Sequence, residues 1–111
     1  MNKFNVAFLE DVIHFLEDLE ESSRRKIIYN IDKARQTNDP QLFKKLKGTE
    51  IWEFRTSYNN QIYRLLAFWD KRKSEEVMVI CATAFIKKTN KTPKTEISKA
   101  EEIRKKYLDL G

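Results

Sequence analysis

Two apolar runs, at 51–58 and 61–69, are separated only by Asn59-Asn60. Asparagine tolerates positive φ, so the pair suits a two-residue hairpin turn. That turn dictates a register: Tyr58 faces Gln61, and counting back sets Arg55 opposite Arg64. Directly opposed side chains lie on one face of a sheet, where like charges repel unless something negative sits between them. A phosphate is one candidate, and guanidinium is well suited to bind it. Glu53 is another, because strand alternation puts it on the arginine face while Trp52 and Phe54 point the other way. Spacing alone leaves open a phosphate clamp or a solvated Arg–Glu cluster that contributes little stability.

The rest of the chain must supply partners for this hairpin. Residues 3–8 alternate and predict a short first strand. From about Glu10 the period becomes helical, with Leu9, Val12, Ile13, Leu16 and Leu19 at helical spacing among acids. Ser22 or Ser23 is a candidate cap for a second helix with the stripe Ile27, Ile28, Ile31 and Ala34. Asn38-Asp39-Pro40 ends it, because proline disfavours helix in the residue before it. Leu42, Phe43 and Leu46, interleaved with Lys44, Lys45 and Lys47, read as a basic turn of helix or loop closed by Gly48. The run 77–86 is apolar and β-branched throughout, as expected for a strand covered on both faces. Thr92-Pro93 starts a final helix with the stripe Ile97, Ala100, Ile103 and Tyr107. The order β-α-α-β-β-β-α predicts an α+β fold, with a small, mostly antiparallel sheet carrying helices on one face and leaving the other free for a ligand.

At 111 residues, with 41% hydrophobic and 12% aromatic, the chain suits one domain spanning 1–111. No repeat, low-complexity tract or linker divides it. The net charge is +5 and the pI about 9.3, compatible with nucleic acid, an acidic partner or an anionic surface. One cysteine, Cys81, precludes an internal disulfide and reads as a small buried residue in a reducing compartment. The N-terminus has no signal-peptide core, and no run approaches the length that spans a bilayer. A soluble, cytoplasmic protein with no membrane partner is expected.

The chemistry is cationic. Besides Arg55 and Arg64, Lys44, Lys45 and Lys47 precede the hairpin. The segment from Phe85 to Lys94 places Lys87, Lys88, Lys91 and Thr92 after an aromatic strand end, a pattern suited to phosphate contact with base stacking nearby. Each lysine run taken alone also reads as a solvated surface. There is no glycine-rich phosphate loop. One cysteine and one histidine cannot build a zinc site, and no Ser-His or Cys-His pair is available. His14 reads as a structural or surface residue. Neither a cofactor nor a metal is expected.

In order, Leu46-Lys47-Gly48, Trp52-Glu53-Phe54-Arg55, Tyr63-Arg64-Leu65-Leu66 and Phe85-Ile86-Lys87-Lys88-Thr89-Asn90-Lys91-Thr92-Pro93 resemble the phage-derived, HigB-like branch of the RelE/ParE toxin superfamily. Glu96-Ile97 and Ala100 continue the likeness into the last helix, so it covers nearly the whole chain. The resemblance implies a RelE/ParE-like fold and a type II toxin, a ribosome-dependent endoribonuclease (mRNA interferase) that cleaves translated mRNA. Its implied partners are the ribosome, mRNA and a neighbouring helix-turn-helix antitoxin, HigA-like. By resemblance and position, Arg55 and Arg64 clamp phosphate, Glu53 is the general base, and Lys87 and Lys88 position the backbone or stabilise charge. Tyr58 or Phe85 stacks on a base, and Lys44, Lys45, Lys47, Lys91 and Thr92 contact RNA. Some relatives carry a histidine near the end of the last strand; this chain does not. Two other readings stay open, a ParE-like toxin that binds a protein target such as gyrase, and an inactive relative that only binds its antitoxin.

Overall fold

The structure, a computed structural model, describes residues 4–73, 75–86 and 91–110. Strand β1 (Asn5–Phe8) leads into helices α1 (Glu10–Glu17) and α2 (Glu21–Gln36). Strands β2 (Phe43–Lys45), β3 (Trp52–Tyr58), β4 (Gln61–Asp70) and β5 (Met78–Ile86) follow, and helix α3 (Lys94–Leu110) closes the chain. The sheet order is β1-β5-β4-β3-β2. Strands β2 to β5 form an antiparallel meander, and β1 lies parallel to β5. This is an α+β protein with a mixed five-stranded sheet.

The hairpin forms as its turn residues dictate. Asn59 and Asn60 both take positive φ, 55° and 63°, and Tyr58 pairs with Gln61, Arg55 with Arg64. Turn chemistry also sets the preceding connection. Gly48 has φ +78°, and the Thr49 hydroxyl donates to the Leu46 carbonyl at 2.8 Å.

The chain leaves β1 at one sheet edge and enters β2 at the other, so α1 and α2 must cross one face. They bury Val12, Leu16, Ile27, Ile31 and Ala34 against Phe54, Tyr63, Leu65 and Cys81. Ile13 and Ile28 sit on the outer side of their helices and stay partly exposed. Polar ties fix the register of this layer. The Tyr63 hydroxyl donates to Ser23 at 3.1 Å, Asn30 donates to Thr56 at 3.1 Å, and Arg35 Nε donates to the Phe4 carbonyl at 2.9 Å. Burial pushes the Cys81 thiol far up, so it is no nucleophile near neutral pH.

Three expectations need correction. The basic segment 43–45 is a short edge strand, because Phe43 pairs with Phe54 and buries its ring among aromatics. Neither Ser22 nor Ser23 caps α2; the cap position is Glu20, and Ser23 is spent on Tyr63. The helices do not share one face. α3 returns over the opposite face, where Ile97, Ala100, Ile103 and Tyr107 pack on Leu66, Phe68, Ile80 and Ala82. The physical reason is β4, which is buried without a break from Tyr63 to Phe68 and needs cover on both sides. Among the described residues, no helix is long and apolar enough to cross a membrane.

Candidate functional site

Where α3 begins, the second core gives way to charge. Cross-strand pairing sets Arg55, Arg64 and Phe85 in one row and Glu53, Leu66 and Thr83 in the next, all on the α3 face. Arg64 Nη1 lies 3.5 Å from Glu53 Oε2, with the side chains 0% and 1% exposed. Thr92 joins the pair, accepting from Arg64 Nη1 at 3.0 Å and donating to Glu53 Oε2. One hydroxyl therefore serves both ions, with its hydrogen toward the carboxylate and a lone pair toward the guanidinium. A buried pair persists only when such hydrogen bonds supplement the Coulomb attraction.

Arg55, one strand outward, is treated differently. Its backbone N–H donates to the Leu42 carbonyl at 2.9 Å, which is where the pairing with β2 gives out. Its side chain is half-buried and lines an open cavity of about 720 Å³ at the β3 edge. Lys26, Asn30 and Lys33 of α2 form the far wall, Lys44 of β2 another, and Glu53 the floor. Four cations thus surround one acidic group that Arg64 already neutralises, with Asp39 on the rim. A groove lined by one sign of charge on low-dielectric walls concentrates anions. Lys26 and Lys33 were not singled out in the sequence; their spacing on the polar side of α2 reads as an ordinary solvated face.

The other expected residues are dispersed. Phe85 shares the arginine row and packs against the α3 core. Tyr58 points to the opposite face, against the α1/α2 core. Lys45 lies on the same side as Trp52, its cross-strand partner. Lys47 and Lys91 are exposed. Lys87 and Lys88 lie outside the described residues. His14 is exposed on α1, 3.9 Å from Glu10, on the layer that does not carry the arginine row. Arg64, expected as a phosphate clamp, has its guanidinium enclosed with Glu53 and Thr92.

An α+β arrangement of three helices and a five-stranded mixed sheet among the described residues is compatible with a small RelE-like fold. The model of the phage-derived Gp49-like protein family (DUF891) matches residues 14–105, and the chain belongs to that family. Its members are commonly toxins of toxin–antitoxin systems and are associated with RelE-type toxins. Such a family implies an antitoxin partner. A comparison with curated proteins finds no match.

Proposed function

We propose that this protein is the toxin of a type II toxin–antitoxin pair and acts as a ribosome-dependent endoribonuclease on translated mRNA. The observation that carries the reading is the cationic groove at the β3 edge, with Arg55 half-exposed in it and a carboxylate on its floor. RNA supplies its own nucleophile, the 2′-hydroxyl. The enzyme has to accept that proton, stabilise charge on the phosphate and assist the leaving 5′-oxygen. In this reading Arg55 and Lys44 hold the phosphate. Glu53, enclosed beneath the groove floor, is the base, and RNA binding would have to uncover its carboxylate. Arg64 is a positioning residue that holds the Glu53 carboxylate, which refines its expected role as a direct clamp. Lys87 and Lys88, assigned to the site by resemblance and sequence position, lie outside the described residues and carry no part of this reading. No histidine takes part, so the groups present make a weak catalyst on free RNA, and alignment of mRNA by the ribosome supplies the missing rate. An acidic segment of a helix-turn-helix antitoxin would neutralise the toxin by covering the groove, with complementary charge speeding encounter.

The test is tightly controlled induction of the wild-type chain and of Arg55→Ala, with primer extension on a translated reporter mRNA. Growth arrest with new 5′ ends inside the reading frame is expected. Arg55→Ala should lower cleavage about a hundredfold, the usual scale for losing one charge-stabilising donor. Arrest with intact mRNA would overturn the nuclease reading in favour of a protein target. No arrest would leave an antitoxin-binding relative.

A further inference from the structure

A second recess lies beside the groove and has no role in the reading above. Phe43, Trp52 and Trp69 share one sheet face, at its β2 edge. Phe43 stacks on Trp52 at 4.8 Å, and Trp69 meets Trp52 edge-on at 5.7 Å. Their inner sides pack on Phe4, 5.4 Å from Phe43 and 5.0 Å from Trp69. Their outer sides wall a recess of about 380 Å³, near the small end of the range for ligand pockets. All three rings keep part of their surface open to solvent while packing on the core.

The rim is basic. Lys44 and Lys45 line the recess, and Lys71 Nζ sits 5.1 Å from the Trp69 ring centroid. Asp39 is the single acid in the lining. The recess and the phosphate groove share Asp39, Pro40 and Lys44, so one strand can run from one into the other. Aromatic surface beside ammonium groups matches a flat, uncharged ring that carries an anionic link. An acidic peptide would meet the lysines and leave the aromatic surface unused. Aromatic platforms along a cationic track are how single-stranded nucleic acids are held.

We propose that this recess is a nucleobase subsite. It takes one unstacked base of a single-stranded RNA whose adjoining phosphate lies on Lys44. The proposal rests on the RNA reading of the groove and adds a contact that reading lacks.

Trp52 and Trp69 are the chain's two tryptophans, so tryptophan emission, excited selectively over tyrosine, reports this recess. The full chain would be titrated with a dye-labelled 2′-O-methyl hexaribonucleotide, which lacks the attacking hydroxyl, and with its abasic counterpart. Anisotropy reads binding, and tryptophan emission reads stacking. The base-bearing strand should quench emission with the same midpoint as binding, while the abasic strand should bind about tenfold more weakly and leave emission unchanged. Lys45→Gln with Lys71→Gln, both at exposed positions, should weaken binding several-fold without disturbing the fold. Trp52→Leu should abolish most quenching; should it unfold, the lysine pair and the abasic strand still decide. Equal binding of both strands with unmoved emission would overturn the subsite and leave the groove reading standing. Binding of neither strand would overturn the subsite, and the groove reading would then be decided by the primer-extension test alone. Quenching by an acidic peptide and not by RNA would overturn the subsite in favour of a protein partner.

Discussion

The two faces of the sheet bury side chains by different rules. Under α1 and α2 the interior is apolar, with Phe54, Leu65, Val79 and Cys81 interlocked and its few polar groups paired at the margins. Under α3 the apolar layer of Leu66, Phe68 and Ile80 runs only part of the way. It then meets Arg64 and Glu53, both fully buried. The first face is held by area removed from water, at about 25 cal/mol per Å². The second is held at one end by a charge pair, whose desolvation cost often matches its Coulomb gain. A buried pair is therefore a poor way to stabilise a sheet and a good way to hold a carboxylate at the floor of a groove.

That comparison can be broken at several points. The largest effect is expected from Arg64→Ala, which strands the Glu53 charge and should cost about 3–5 kcal/mol in urea unfolding. This would equal the loss expected from Phe54→Ala on the apolar face, about 3–5 kcal/mol. Adding Glu53→Leu to an Arg64→Met background should recover most of the stability while activity stays lost. A single Arg64→Ala within 1 kcal/mol of wild type would mean the pair is not what holds that end of the sheet. Next comes Thr92→Val, which removes the hydroxyl shared by both ions and should cost about 1–3 kcal/mol. Arg55→Ala, in the same row but at the groove, should cost about 1 kcal/mol, well below Arg64→Ala, so its effect on cleavage would be separable from folding.

The smallest effect lies far from the site. Arg72 donates to both Asp70 carboxylate oxygens, at 2.9 and 2.8 Å, and this holds the Asp70 carboxyl below its usual value. A carboxyl depressed in the folded state adds stability above its unfolded pKa, near 4, and loses it as pH falls through the folded value. Asp70→Asn should thus lower the melting temperature at pH 7 by about 2 °C at most. The difference from wild type should close as pH drops below about 4. A gap that persists at pH 2 would assign the effect to packing.

Much of this is legible in the sequence. Asn59-Asn60 accept positive φ, so the hairpin register and the Arg55–Arg64 row followed from local chemistry. The α3 stripe was equally readable, because Ile97, Ala100, Ile103 and Tyr107 keep helical period. The face α3 occupies differs from the one-faced helix layer the element order suggests, and the apolar run of β5 carries the reason, because it needs cover on both sides. Strand β2 is not legible in the sequence, because Lys44 and Lys45 mask its apolar Phe43 and its stability comes from pairing with β3 and not from its own propensity. Lys26 and Lys33 were invisible as site residues because a solvated helix face carries the same residues.

The sequence by itself determined the turn, the cross-strand register, the helical stripes and membership of a phage-derived toxin-like family. These depend on backbone preference and side-chain periodicity, which act between near neighbours. Only the tertiary structure decided that Arg64 is enclosed while Arg55 is accessible. The two arginines are equivalent along their strands. What separates them is depth in the sheet: Arg64 sits on a central strand beneath the start of α3, and Arg55 sits where β2 stops and the edge opens to solvent.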